Sequence, residues 1–174
     1  MNSYFLYDML YQYNQNPLQL PKINNIIVHL SFSPIKINSF SLKVFLLAFE
    51  LITGQKPQLI RAKQSVAIFK LRKGMIVGCK VTLRKEKIDF FLHKIVNCIL
   101  SNKNFIGISA QSISKTGNLI LGVKNFLMFS EINSQYERFK NLKGFDCILN
   151  ISDSFDNTQI VLHNYNLPII NKNN

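Results

Sequence analysis

The chain has 174 residues, with 21 Lys or Arg against 9 Asp or Glu, for a formal charge of +12 at neutral pH. That length fits one domain, and 47% hydrophobic residues with 14 Phe supply a core that needs no disulfide or metal staple. A disordered tail protein is thereby excluded. So large a positive excess points to a polyanionic partner, nucleic acid or an anionic membrane.

Residues 2–13, with Tyr4, Phe5, Tyr7, Leu10 and Tyr11, predict a short N-terminal helix closed off by Pro17 and Pro21. No positively charged leader or Arg-rich presequence stands before Lys22, so neither secretion nor ordinary organelle import is signalled. Ile26, Ile27, Val28 and Leu30 predict the first strand. Phe40 to Ile52 predicts a helix, with Phe40, Val44, Leu47 and Ala48 at helical spacing and Thr53-Gly54 ending it. This is the most apolar window, but Lys43 and Glu50 interrupt it and it falls short of the ~20 apolar residues of a membrane span. Beyond a basic segment, Glu86 to Leu100 repeats Ile88, Phe91, Leu92, Ile95 and Ile99 at three- and four-residue steps, an amphipathic helix. Leu119 to Phe129 and Phe145 to Ser152 read as strands. Asp153 or Asp156 is placed to cap a last short helix running towards Tyr165, and the Asn-rich end from Asn171 is expected to fray. Helices and sequence-local strands in mixed order predict an α+β fold. The expected unit is a single domain over 1–174, with an N-terminal helix or extension over 1–17. Helices are expected to cover one face of a mostly antiparallel sheet and to leave the opposite face free.

The charge is concentrated. Residues 56–87 hold Lys56, Arg61, Lys63, Lys70, Arg72, Lys73, Lys80, Arg84, Lys85 and Lys87 against a single acid, Glu86. A solvated helix face alternates signs to gain i,i+4 pairs, and this stretch does not. Alternation through Cys79-Lys80-Val81-Thr82-Leu83-Arg84 puts Lys80, Thr82 and Arg84 on one strand face, with Cys79, Val81 and Leu83 on the other. Two cations and a hydroxyl on one face suit phosphate and ribose contacts. Gly74 and Gly78 bracket Met75 to Val77, which places Arg72 and Lys73 on a loop or bent hairpin tip. A mobile basic loop beside a basic strand points to RNA. A membrane-surface helix would need a 3.6-residue apolar period that this segment lacks.

Catalytic and metal chemistry find little support. His29, His93 and His163 are isolated, and none belongs to an H-E-x-x-H pattern. The acids are scattered, and Gly107 to Gly122 holds a Gly117-Asn118 turn signal but no phosphate-binding glycine loop. Cys79, Cys98 and Cys147 include no C-x-x-C pair, which argues for core thiols in a reducing compartment over a zinc site. No cofactor and no metal are expected. The alternatives to an RNA-binding structural protein are an organellar RNA-processing enzyme or nuclease whose acids converge only in three dimensions, and a basic interaction protein without a specific RNA.

Ordered blocks then carry a resemblance. Leu51-Ile52-Thr53-Gly54-Gln55-Lys56-Pro57, Ala62-Lys63-Gln64-Ser65-Val66-Ala67 and Gly78-Cys79-Lys80-Val81-Thr82-Leu83-Arg84 are followed by Phe105-Ile106-Gly107-Ile108-Ser109-Ala110, Gly117-Asn118 and Gly122-Val123. Phe129-Ser130-Glu131-Ile132 and Lys143-Gly144-Phe145-Asp146 complete the series. The chain resembles, over roughly residues 18–168, the large-subunit ribosomal protein five family of bacterial and organellar type, which binds 5S rRNA in the central protuberance.

The resemblance implies a non-enzymatic role in translation. It implies rRNA contacts at Gln55 and Thr82, with Lys56, Lys80 and Arg84 neutralising phosphates. It also implies a loop, its tip at Phe69, Lys70, Leu71, Arg72, Lys73, Gly74 and Met75, that reaches the elbow of P-site tRNA. The segment from Ile106 to Gly122 is implied to face a protein of the small-subunit head across an intersubunit bridge. The implied partners are 5S and large-subunit rRNA, P-site tRNA, that head protein and neighbouring central-protuberance proteins, with no membrane. The A/T-biased residue usage, with 20 Asn and no Trp, and the absent presequence point to a mitochondrial, organelle-encoded form. The chain departs from the family pattern in four places. His29 stands where an RNA-contacting Asn is usual, Ile68 and Lys85 stand where Gly is usual, and Ser130 replaces Pro.

Overall fold

The computed structural model describes residues 22–32, 39–100, 107–114, 116–140, 142, 144–151, 155–167 and 169–170. The helix expected over 2–13, the Asp153 cap, the tail from Asn171 and the block residues Phe105, Ile106 and Lys143 lie outside them. The described strands are β1 (Ile23–Ser31), β2 (Gln58–Arg61), β3 (Ile76–Leu83), β4 (Ile108–Ser109), β5 (Leu119–Val123), β6 (Phe145–Ile151) and β7 (Ile169–Ile170). Five of them form an antiparallel sheet in the order β2-β3-β1-β6-β5, and β4 pairs with β7 in parallel. The helices are α1 (Ser39–Thr53), α2 (Glu86–Leu100), α3 (Ser130–Asn133), α4 (Tyr136–Phe139) and α5 (Phe155–Asn164). The fold is α+β.

Alternation builds the sheet. In β1, Ile26, Val28 and Leu30 are buried while Ile27 and His29 are only half-buried. In β3, Cys79, Val81 and Leu83 are buried and Lys80 is exposed; in β6, Phe145, Cys147, Leu149 and Ile151 are buried and Asp146 is exposed. A strand's side chains alternate faces, so these three central strands turn one apolar face the same way. Against that face, in a single cluster, lie Ala48, Phe49 and Ile52 of α1 and Phe91, Leu92 and Ile95 of α2. Phe49, Phe126 and Phe145 meet with ring centroids 4.8 to 5.8 Å apart, joining α1, the loop after β5 and the start of β6.

Lys94 links three helices. Its ammonium lies 2.7 Å from the Glu131 carboxylate of α3, donates to the Ile52 carbonyl of α1 at 3.2 Å and sits 4.4 Å from the ring centre of Phe90. Tyr165, just past α5, donates its hydroxyl to Asp89 of α2 at 3.0 Å.

The helix expected over Glu86–Leu100 forms with those bounds, and the expected helix ending at Thr53-Gly54 closes with Gly54 at φ +62°. The strand expected over Leu119–Phe129 stops at Val123. Asn125 accepts a hydrogen bond from the Leu127 amide at 3.0 Å and starts a 3-10 turn, Phe126–Met128, whose flanks bury Phe126 and Phe129. A side-chain cap and two buried aromatics three residues apart override the strand propensity of that stretch. Asp156 lies inside the first turn of α5, not at its cap.

Gly144 is set by close approach. A Cβ there would collide with the carbonyl oxygens of Val123 and Lys124 on the neighbouring strand end. Gly144→Ala is therefore expected to cost about 2 kcal/mol or more, measured as a lower urea midpoint. Burial, then the bond to Asp89, pushes the Tyr165 phenol up to about 12 from its ordinary 10. A folded-state value above the unfolded one means that this contribution is complete below about pH 10 and is lost as the pH climbs towards 12. Tyr165→Phe should lower stability at pH 8 by about 1 kcal/mol and flatten the alkaline fall, as read by urea unfolding over a pH series.

Candidate nucleic-acid interface

The face of the sheet turned away from α1 and α2 carries exposed and half-buried side chains. Strand register places Gln58, Lys80, His29, Asp146 and Gly122 in one row across all five strands. The adjacent row is Thr82, Ile27, Ile148 and Ile120, with Ile120 53% exposed. Beyond it, Asn150 donates to the side-chain oxygen of Asn25 at 2.6 Å. The face therefore mixes charge, amide and apolar surface, as a surface for ribose and bases requires.

Lys80 and Thr82 share this face, and Arg84 follows directly beyond the strand end, exposed. Gln55 reaches them from the end of α1. Thr53, buried and donating to the Phe49 carbonyl at 2.6 Å, also accepts from the Gln55 amide at 3.3 Å and so fixes the turn. The Gln55 side-chain amide then donates to the Thr82 carbonyl at 3.3 Å, and Lys87 donates to the Gln55 side-chain oxygen at 3.4 Å. Gln55, Thr82, Arg84, Lys85, Glu86 and Lys87 line a groove of about 470 Å³ at the start of α2. Two residues 27 apart in sequence, expected as neutral contacts, thus stand together among cations. Lys56 is exposed beside them. His29 lies on the same face between Lys80 and Asp146.

The basic loop is a hydrogen-bonded arm. Ala62 and Met75 pair at 2.8 Å, Gly74 donates to Ala62 at 2.9 Å, and Val66 and Leu71 exchange both amide bonds at 3.1 Å. Ser65 accepts from the Lys73 amide at 2.9 Å, and Arg61 donates to the Gly74 carbonyl at 3.2 Å. The apex is the 3-10 turn Ala67–Phe69, closed by Lys70 at φ +52°. Of the expected tip, Phe69 and Lys70 stand at this apex. Leu71, Arg72, Lys73, Gly74 and Met75 run back along the returning limb, because the bridge between Val66 and Leu71 moves the turn towards the N-terminal side. Ile68 and Phe69 are 87% and 66% exposed.

All ten basic residues of 56–87 are exposed. Neither the Lys94–Glu131 nor the Lys140–Glu137 ion pair involves this segment. Asp146 and the isoleucine row were not expected as part of the open face. The alternation of Phe145, Cys147 and Leu149 would have placed Asp146 there, but which strands adjoin it depends on long-range pairing. Among the described residues no three metal-ligating side chains converge, and no helix is long and apolar enough to cross a membrane.

An α+β sheet covered on one face and bearing unneutralised cations along its open face and arm is built to meet a polyanion. Residues 16–72 match the family described as ribosomal protein L5, and residues 76–169 match the description of that ribosomal family's C-terminus. The large ribosomal subunit protein uL5 of Clostridium acetobutylicum is 40% identical over 139 residues, 79% of this chain and 76% of that protein. The large ribosomal subunit protein uL5m of Reclinomonas americana is 38% identical over 144 residues, 82% of this chain and 79% of that protein. A Clostridium kluyveri uL5 is 35% identical across 91% of this chain and 87% of its own length. The chain belongs to the ribosomal protein L5 family. It is a structural protein of the large ribosomal subunit and not an enzyme, which removes the RNA-processing and nuclease readings.

The structure accounts for two departures from the family pattern. Ser130 is the first residue of α3, where the fixed φ of Pro is tolerated and an ordinary residue serves as well. Lys85 adopts φ +55° before α2, a left-handed conformation free to Gly and strained for Lys. Lys85→Gly is expected to raise stability by about 1 kcal/mol while weakening polyanion binding through the lost charge. Urea unfolding and an RNA titration on the same variant check the two opposed effects.

Proposed function

We propose that this protein holds 5S rRNA on the open face of its sheet, within the central protuberance of a mitochondrial large ribosomal subunit. The observation that carries this reading is the set of ten exposed cations with no carboxylate partner among the described residues, of which Arg84, Lys85 and Lys87 line the groove at the Gln55–Thr82 contact and others run along the arm. Lys56, Lys80 and Arg84 neutralise phosphates and supply affinity, while Gln55, Thr82 and His29 read ribose and base edges and supply placement. The arm from Ala62 to Met75 extends towards P-site tRNA. The segment ending at Gly122 faces the small-subunit head and takes part in an intersubunit bridge, next to other central-protuberance proteins. Mitochondrial origin is supported by the A/T-biased residue usage and by similarity to the Reclinomonas uL5m.

Changing Lys56, Lys80 and Arg84 together to Ala should weaken 5S rRNA binding and flatten the dependence of log affinity on log salt by roughly three units, one per lost phosphate contact. Unchanged affinity and slope would sink the sheet-face reading. Location is checked by sedimentation: the protein should stay with mitochondrial large-subunit particles through a high-salt wash.

A further inference from the structure

A cleft of about 560 Å³ lies between the arm and the sheet. Strand register explains its depth. Gly78 of β3 pairs with Ile60 of β2 on one side and with Ser31 of β1 on the other. A Cβ at Gly78 would collide with the Leu30 carbonyl oxygen, so no side chain fills the middle of that row. The result is a trough floored by backbone at Gly78 and lined by Ile60. The same cleft is lined from the arm apex by Ile68 and Phe69, which are 87% and 66% exposed. Ile68 stands where the family pattern has Gly, so the second apolar side chain belongs to this chain in particular. An aromatic ring laid over a strand glycine supplies the side-chain contact that the glycine lacks. Here ring and glycine share a cleft while the ring stays in water.

The arm has a place to pivot. Its base is held by the bonds of Ala62 with Met75 and Gly74, and its outer part by the paired amides of Val66 and Leu71. Between those braces Lys63, Gln64, Ser65, Arg72 and Lys73 are all exposed, with the Lys73 amide donating to the Ser65 hydroxyl across the two limbs. Gly74 stands at φ +87°, with open space where a Cβ would be. Limbs that bury no side chain yield before packed elements do, and a few such residues absorb the angle change of a hinge. The apex is thus one braced unit on two unpacked limbs.

We infer that the arm is a strap that closes on the sheet in the free protein, seating Phe69 over Gly78 beside Ile60, and that RNA on the sheet face holds it open. Two opposed terms set the balance. Closure takes Ile68 and Phe69 out of water. It also brings the exposed cations Lys63, Lys70, Arg72 and Lys73 towards Lys80 and raises their mutual repulsion. Salt screens the repulsion and leaves the apolar term, so closure increases with ionic strength. The closed apex covers His29 and Ser31, which line the cleft. RNA on the row Gln58–Lys80–His29 and a closed arm therefore exclude each other. The coupling rests on the RNA-binding reading above and adds an order of events to it: the arm is presented to tRNA only once the sheet face is occupied.

The chain contains no Trp, so Phe69→Trp places a single fluorescent reporter at the apex. In the free protein its emission should move to shorter wavelength, and its quenching by acrylamide should fall, as salt rises from about 0.01 M to about 1 M and the screening length shrinks from about 30 Å to about 3 Å. Adding Ile60→Ser strips the trough of its apolar side and should keep the emission at long wavelength throughout. An indole that stays in water at every salt concentration without that second change would overturn closure. The coupling is read in Ser31→Cys with Phe69→Cys and Cys98→Ser, since Cys79 and Cys147 are buried. Mild oxidation of this free protein at high salt should link arm to sheet, and no linking would again overturn closure. The linked form should bind a bacterial 5S rRNA transcript about tenfold more weakly than the same protein after reduction, a coupling of ordinary size. Equal binding by the two forms would overturn the coupling and leave both closure and RNA binding standing. Failure of the unaltered protein to bind the transcript would overturn the RNA-binding reading and the coupling with it, and the emission would still decide closure.

Discussion

Every group on the open face of the sheet is held there by burial on the other. Ile26, Val28 and Leu30 in β1, Cys79, Val81 and Leu83 in β3, and Phe145, Cys147 and Leu149 in β6 are fixed against α1 and α2, which leaves Ile27, His29, Lys80, Thr82 and Asp146 facing away. A slip of one residue in any of these strands would put cations in the core and branched aliphatics in solvent. The penalty for burying an unpaired ammonium is several kcal/mol, so the register that exposes Lys80 is enforced by what it would cost to hide it. Position on this surface is therefore as secure as the core beneath it.

Helix packing sets where the edge of the surface falls. Lys94 joins α2 to the end of α1 and to α3, and Thr53 fixes the turn that follows α1, so Gln55 arrives at the Thr82 carbonyl from a rigid support. The arm is anchored similarly, at its base by the pairing of Ala62 with Met75 and further out by the Val66–Leu71 bridge. Cations carried on such supports repel one another at fixed separations. That repulsion is tolerable near a solvated surface, where screening acts over roughly 8–10 Å, and it becomes favourable once phosphates lie among them.

Much of this was legible in one dimension because it depends on local period. The 3- and 4-residue spacing of Ile88, Phe91, Leu92 and Ile95 fixed α2 to the residue, and the alternation from Cys79 to Leu83 identified the two faces of β3 before any partner strand was known. Local period is silent where a side chain intervenes or an element is too short for a repeat to show. Asn125 capped a turn inside an apparent strand, and α3 and α4, of four residues each, left no repeat to recognise. A single bridge, Val66 with Leu71, decides where the arm turns and sets its apex at Ala67–Phe69, which no local period shows.

By itself the sequence determined that a basic segment lies on a strand and a loop, that one strand face is cationic and the other apolar, and, through its ordered blocks, the family. These follow from composition, period and residue identity, which need no long-range contact. Only the tertiary structure decided that β1 lies between β3 and β6, that Gln55 meets Thr82 across 27 residues, and that the arm and the open face enclose a cleft beside His29. Each of those depends on pairing between segments far apart in the chain, and that choice is made by the shared core as it closes.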